Sequence, residues 1–336
     1  MVMPEKKLEL VHLQLTRQCN LRCRFCGQWG TKGFFSGCLG DGLSLAEWKR
    51  VADSLDRYSY AAEKRPSVIL WGGEPLVYSE FENIVKYLRA YGFELAIITN
   101  GVLLNKYSEL IKNEFRSVYV SIDGPREIHD SIRGKGVFEK VIENINLLKG
   151  GNAKIIFMTT ICPENIKILP DLPDLFDDCG PDKMLFNELI HFDLREIAEY
   201  KNWLHSRFGI NADKIDSWHM DLPSGYEAYK KEQLKKLFQR LNSLPPKTPV
   251  EYLPHGIVIG GQHCLSPFRH LHVAWNGSVL FCTDFYDFSA GNVCKENVID
   301  IWNGKLVEKF RREIIQGNCP ACNHCSWKSN RNYKLD

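Results

Sequence analysis

Across residues 8–192 this 336-residue chain alternates short apolar runs with amphipathic segments, and no other feature constrains its fold as strongly. "LELVHLQLT" (8–16), "SVILWGGEP" (67–75), "ELAIITNG" (94–101), "SVYVSIDG" (117–124), "AKIIFMTTIC" (153–162) and "DKMLFNELIHF" (182–192) read as buried strands. "SLAEWKRVADSLDRY", "SEFENIVKYLRAYG", "NKYSELIKNE", "VFEKVIENINLLKGG" and "NIKILPDLPDLFDDCG" read as the helices between them, the last broken by its prolines. Ser44 heads the first of these, and Glu47 three positions later completes a capping box. Six strands with intervening helices imply a parallel sheet joined by right-handed crossovers. In a barrel built this way, functional residues gather at the carboxyl ends of the strands.

The loop after the first strand, "LTRQCNLRCRFCGQWG" (15–30), carries Cys19, Cys23 and Cys26. Disulfides need pairs, and three thiols leave one over. A closed zinc site takes four ligands, and a cubane iron–sulfur cluster is normally held by four thiolates. Three ligands on one short loop therefore imply a metal centre with an open coordination position. The later strand ends are also polar or glycine-rich: Gly72–Gly73–Glu74–Pro75, then Thr99–Asn100–Gly101, then Ser121, Asp123 and Gly124.

Composition narrows the class. Hydrophobic content of 44% and charged content of 25% suit a soluble globular enzyme. A net charge of +2 gives no nucleic-acid footprint, and no run is long enough to cross a membrane. "MVMPEKKLEL" has no apolar core and is not a signal peptide, so the expected location is the cytoplasm. Twelve cysteines in a reducing compartment read as metal ligands or reactive thiols.

The cysteine loop with Phe25 before its last cysteine, then "GGEP", "TNG" and "SIDGPREIHDSIRGKGVFEKV", resembles the radical S-adenosylmethionine (radical SAM) superfamily over about residues 8–190. The resemblance implies an α/β fold, a partial (β/α)6 TIM-like barrel. It implies that Cys19, Cys23 and Cys26 hold a [4Fe–4S] cluster whose fourth iron takes the amine and carboxylate of SAM. Gly72, Gly73 and Glu74 would meet the methionine ammonium along a backbone edge, where adjacent glycines permit close approach. Asn100 lies where the family contacts the nucleoside. Ser121 and Arg133 suit the methionine carboxylate; a surface salt bridge is the other reading of Arg133.

Residues 191–260 read as a helical connecting segment, with "REIAEYKNWLHSRFG" and "GYEAYKKEQLKKLFQRLNSLPP" as packing or solvated helices. From 261 to 330 the chain is specific again. Cys264 and Cys282 flank a hairpin turn at Gly277, and Cys319, Cys322 and Cys325 follow a helical stretch. This pattern resembles the SPASM/Twitch extension of radical SAM enzymes, a hairpin-plus-helix unit that binds auxiliary iron–sulfur clusters. Five cysteines suffice for one auxiliary [4Fe–4S] cluster. The preferred set is Cys264, Cys282, Cys322 and Cys325, with Cys319 as the fifth candidate; Cys319 with Cys322 is an equivalent C-x2-C pair. A zinc ribbon with His324 nearby is the alternative.

The resemblance implies a reaction. The reduced cluster would cleave SAM to methionine and a 5′-deoxyadenosyl radical, which abstracts a substrate hydrogen. An auxiliary cluster that removes the second electron makes the net reaction an oxidation, either dehydrogenation or cross-linking. The alternative is a redox-neutral epimerase of a sugar-like molecule or peptide, using a cysteine hydrogen donor. Cys162 at a strand end is the first candidate donor and Cys38 the second, although a small buried filler is the preferred reading of Cys162. An iron–sulfur carrier or scaffold is the non-enzymatic alternative. Only 18 residues precede Cys19, which leaves no room for a leader-peptide recognition domain and tilts the expected substrate to a small molecule or short peptide. The expected partner is an external electron donor such as flavodoxin or ferredoxin.

Overall fold

The computed structural model describes residues 3–29, 33–35, 42–255, 264–282 and 286–325. Six strands run parallel in chain order: β1 (Leu10–Thr16), β2 (Ser67–Gly72), β3 (Leu95–Thr99), β4 (Ser117–Ser121), β5 (Lys154–Ile161) and β6 (Lys183–Glu188). Between them lie α1 (Leu45–Ala61), α2 (Phe81–Ala90), α3 (Ser108–Glu114), α4 (Arg126–Arg133), α5 (Val137–Asn146) and α6 (Leu172–Asp177). The Ser44–Glu47 capping box is present at the start of α1, with both reciprocal hydrogen bonds formed. The proline-broken segment is a 3-10 turn, Ile166–Asp171, followed by the short α6.

Side-chain alternation divides the sheet into two faces. Val11, Leu13 and Leu15 of β1 join Trp48, Val51 and Leu55 of α1 and Val68 and Leu70 of β2 in the main core. Each such side chain contributes about 1.5–3 kcal/mol by leaving water. The opposite face holds a separate small layer of Leu10, Ile69 and Ala96 inside the barrel. Chain packing is therefore mostly outward, against the helices, and the inner face is left for polar groups.

The structure departs from the expectation in its short elements and in the place of the C-terminal hairpin. Helix α4 occupies "REIHDSIR", a stretch given no element from the sequence. The connecting segment holds the expected helices, α7 (Leu194–Phe208) and α8 (Tyr226–Ser243), but also a seventh parallel strand, β7 (Val250–Leu253), on β6. After the short α9 (Ser266–Arg269), the C-terminal hairpin of β8 (His270–Val273) and β9 (Ser278–Leu280) is not a separate sheet. β8 pairs in parallel with β1, so one ten-stranded sheet runs from β10 (Gly291–Asn292) through β9, β8 and β1 to β7. The sheet stays open, with β10 and β7 at its edges among the described residues. Helices α10 (Val298–Trp302) and α11 (Lys305–Ile315) complete the C-terminal unit. No helix among the described residues is long and apolar enough to cross a membrane.

Candidate active site and auxiliary centre

The cysteine loop leaves the carboxyl end of β1, and each of its three sulfurs receives an N–H. The Leu21 amide approaches Cys19 Sγ at 3.4 Å, Arg133 Nη1 approaches Cys23 Sγ at 3.8 Å, and the Trp29 amide approaches Cys26 Sγ at 3.3 Å. Donors aimed at all three sulfurs are what metal-bound thiolates require. A tight turn, Cys26 N–H to Cys23 C=O at 3.2 Å, sets the C-x2-C pair. Burial pushes the Cys19 thiol up to about 12, against the Leu21 amide, and burial also raises Cys23. A bound metal would displace these protons.

Gly72 and Gly73 press against the exit of β1. A Cβ on Gly72 would lie 2.5 Å from the Thr16 carbonyl oxygen, and one on Gly73 would lie 2.3 Å from that of Gln18. The Gly73 and Glu74 amides donate to the Thr16 and Gln18 carbonyls at 2.9 and 2.8 Å. The Glu74 side chain turns inward. It accepts from the Asn100 amide and the Thr99 hydroxyl, each at 2.8 Å, and from the Leu76 amide at 3.1 Å. Burial outweighs these bonds and lifts its carboxyl to about 7. Glu74 thus ties the end of β2 to the end of β3. Asn100 Nδ2 donates to Asn20 Oδ1 at 2.8 Å and lies 3.8 Å from Cys19 Sγ, which ties β3 to the cysteine loop.

Helix α4 delivers Arg133, which is not a surface residue. Its side chain is 9% exposed and pairs with the fully buried Asp123 at 2.5 Å through Nε. Burial alone would lower the guanidinium's pKa, but Asp123 and the Cys23 sulfur hold it above its ordinary value. Asp123 Oδ1 also accepts the Thr160 amide, and Asn165 Nδ2 bridges the Asp123 and Thr160 carbonyls. The His129 ring, held neutral by burial at about 4, accepts the Asp123 amide through Nδ1. Cys19, Cys23, Cys26, Gly72, Gly73, Asn100, Ser121 and Arg133 all line one cavity of about 300 Å³ at the barrel mouth. Phe25, Trp29, Trp71, Ile98, Met158 and Trp218 supply much of its wall.

Cys162 directly follows β5 on this side of the sheet, but it is fully buried with Ile132 and Leu189 and is absent from the cavity wall. Its amide is held by Asn165 Oδ1 at 2.9 Å, and burial pushes the thiol well above its ordinary value. Cys38 lies outside the described residues.

Helix α7 organises the second set of cysteines. His324, between Cys322 and Cys325, contacts Glu196 Oε1 at 2.7 Å and packs on Phe192, with ring centroids 4.6 Å apart. One turn along, the buried Tyr200 shares a small cavity with Trp203, Cys282, Phe288, Phe310 and Cys319. Cys319 hydrogen-bonds Cys322 and is within electrostatic reach of Cys282. The Cys322 amide donates to the Cys319 carbonyl at 3.2 Å, the same turn as at Cys23 and Cys26. Cys264 is buried, and Cys325 is half-buried against the core.

A second cavity, of about 760 Å³, lies beside the first and reaches this loop at Asn323 and His324. Glu188, at the end of β6, lines both. Its carboxylate binds Lys230 Nζ at 2.5 Å and accepts the Tyr252 hydroxyl, and His255 hydrogen-bonds its carbonyl. Burial opposes ionisation of Glu188, but Lys230 and Tyr252 hold it below the usual carboxylate range.

Comparison with known proteins decides the family. Residues 13–176 match the radical SAM superfamily model, and residues 264–326 match the SPASM iron–sulfur cluster-binding domain. The chain belongs to the radical SAM superfamily. It is 32% identical to a pre-heme d1 synthase of Dinoroseobacter shibae over 92% of this chain and 78% of that protein. It is 26% identical to an Fe-coproporphyrin III synthase of Methanosarcina barkeri over 96% of this chain and 81% of that one. Among solved structures it is similar to Streptococcus suis SuiB bound to S-adenosylmethionine, with a TM-score of 0.68 at 11% identity over 96% of this chain and 72% of SuiB. A partial TIM-like barrel with a SPASM unit is thus the shared fold. This radical SAM protein carries a [4Fe–4S] cluster, binds SAM, and has an auxiliary cluster domain.

Several site residues escape sequence reading. Asp123 and Arg133 were each visible in the sequence, but their pairing was not. Tyr200 and Glu196 sit on a helix whose amphipathicity speaks only of packing. The proline before Arg126 and the glycine after Arg133 bracket α4 and could have revealed it.

Proposed function

We propose that this radical SAM enzyme carries out a two-electron oxidation of a small molecule, with Cys19, Cys23 and Cys26 as ligands of the SAM-binding cluster. When bound, that cluster and SAM supply the 5′-deoxyadenosyl radical that removes a substrate hydrogen. The chain's own residues place the SAM. The amides of Gly73 and Glu74 are already committed, so the edge Gly72–Glu74 offers carbonyls, the polarity an ammonium needs. Arg133 and Ser121 face the methionine carboxylate, with Arg133 aimed by Asp123. Asn100 holds the nucleoside side of the cavity. The aromatic wall excludes water around a reactive radical. Glu188, anionic at neutral pH and shared by both cavities, takes the proton that an oxidised substrate must release.

The auxiliary ligands are Cys264, Cys282, Cys319 and Cys322. The chelating turn at Cys319–Cys322 and the approach of Cys282 favour this set over one that uses Cys325. Four thiolates close a cubane, which suits electron transfer. An external flavodoxin- or ferredoxin-type donor reduces the SAM cluster.

One observation carries oxidation over epimerisation: Cys162, the described hydrogen-donor candidate, is sealed away from the cavity. For the substrate, the two relatives named for tetrapyrroles, each covered over about four fifths of its length, support that class. The second cavity, open beside the first at Glu188, gives a bulky substrate space beyond the SAM site. The test is anaerobic incubation of the holoenzyme with SAM, reductant and a panel of tetrapyrroles in deuterated water. The expected product has lost two hydrogens and carries no solvent deuterium at carbon. An inverted centre carrying deuterium in any substrate would overturn the oxidation, and failure to turn over tetrapyrroles would overturn the substrate class.

A further inference from the structure

Three imidazoles stand around the second cavity: His191, His255 and His324. The His324 ring lies 5.3 Å from that of His191 and 6.2 Å from that of His255, centroid to centroid. The three are not interchangeable. His255 and His324 are engaged through Nε2, with the Glu188 carbonyl at 3.0 Å and Glu196 Oε1 at 2.7 Å. His191 is held the other way round, with Nδ1 3.1 Å from the Leu189 carbonyl. A carbonyl only accepts, so Nδ1 of the neutral ring carries the proton and Nε2 keeps its lone pair. Burial favours that neutral ring. Glu227 Oε1 is 3.9 Å from Nε2, beyond hydrogen-bond reach, and the other oxygen of Glu227 is bound to Lys230 at 2.9 Å. The cavity's histidines and carboxylates are not grouped to hold a metal ion by themselves. One anchored imidazole suits a metal that arrives with most of its positions already filled.

We propose that His191 Nε2 is the axial ligand to the iron of an iron-bearing tetrapyrrole substrate. The proposal rests on the tetrapyrrole reading given above. A carbonyl on the Nδ1 proton fixes both tautomer and ring orientation, which is how metal-ligating histidines are held. The macrocycle fills the iron's equatorial positions and leaves the protein an axial one. Met220, Leu222, Leu234 and Pro254 give the ring an apolar wall. Charge does not oppose a substrate with carboxylate arms. Glu188 and Glu227 are paired with Lys230, Asp193 and Glu196 form the capping box of α7, and Asp221 stands in solvent. Lys231, at the rim with no ion-pair partner among the described residues, is left to meet such an arm. Residues 188–190 line the SAM cavity, and Glu188 and His191 line the second. The segment that holds the iron is thus continuous with the wall where a substrate hydrogen is removed.

The test gives the anaerobic holoenzyme the same panel of tetrapyrroles, each iron-loaded and metal-free. Affinity is read by titration, and the axial ligand by the iron–imidazole stretching band in the resonance Raman spectrum of the ferrous complex. The native chain is expected to show that band and to bind the iron-loaded form more tightly. His191→Ala is expected to lose the band and the preference for iron, while keeping its affinity for the metal-free form; added imidazole should restore the band. A merely structural histidine predicts no such split between the two forms. Should His191→Ala lose its cluster iron, His191→Gln, which can keep the bond to the Leu189 carbonyl, gives the same reading. A band that survives loss of His191, or equal weakening of both forms, would overturn the inference and leave the tetrapyrrole reading standing. A native chain that binds no member of the panel would overturn both.

Discussion

Arg133 and Asp123 form a buried pair whose two halves are not equivalent. A carboxyl left without its partner can neutralise by protonation, whereas a guanidinium cannot. Asp123→Ala should therefore destabilise the cluster-free protein by about 3–5 kcal/mol, the cost of stranding a buried charge, and more than Arg133→Ala does. Denaturant unfolding of both variants checks the order; equal losses would show that Arg133 reaches solvent. In the holoenzyme, Arg133→Ala should weaken SAM binding by about 1.5–3 kcal/mol, the scale of a charged hydrogen bond. Unchanged affinity would mean that Arg133 serves Cys23 alone. At this scale the sequence is legible where chemistry forces neighbours together, as in Cys19, Cys23 and Cys26. It is silent where partners meet only through the fold: Arg133 finds Asp123 ten positions away, and Glu188 finds Lys230 forty-two positions away.

At the scale of elements, the junction of β1 and β2 is the most exacting. A methyl group on Gly73 meets backbone oxygens of Arg17 and Gln18 at 2.5 and 2.3 Å, and backbone cannot swing aside as a side chain can. Gly73→Ala should displace the cysteine loop. Iron at the SAM site should fall while the auxiliary cluster stays, as read by iron content and SAM binding. Full iron in this variant would show that the loop is more compliant than its packing implies. Long periodic elements such as β5 and α1 are readable from sequence, because pattern and caps agree. Helix α4, at 8 residues, and β7, at 4, are too short for periodicity to register, and β7 is a strand only because β6 offers it an edge. The joining of β8 to β1 links residues some 260 positions apart, and no local signal encodes it.

On the whole-molecule scale, that pairing makes the SPASM unit a continuation of the barrel sheet. The two cluster sites still lie on separate loops, so about eight irons per chain are expected as two cubanes, with four remaining when Cys19, Cys23 and Cys26 are replaced together. Acid stability is also a global property here. Burial lowers His129 and His255 from 6.5 to about 4 each and His270 to about 3, so the fold keeps these rings neutral. A depressed pKa of this kind lends stability above 6.5 that is lost as the pH falls from 6.5 toward 4. At pH 5 each such ring costs about 2 kcal/mol. Thermal midpoints should therefore drop between pH 7 and 5, and His255→Gln should flatten the slope. An unchanged slope would show that His255 titrates normally.

The central claim is that the three-cysteine loop, closed off by Asn100, Arg133 and the glycine edge, cleaves SAM reductively. Its most direct test is 5′-deoxyadenosine release by the anaerobically reconstituted protein given SAM and a strong reductant. The account predicts release by the native chain and none after Cys19, Cys23 and Cys26 are changed together to Ala. No release from the native chain, or equal release from both, would contradict it.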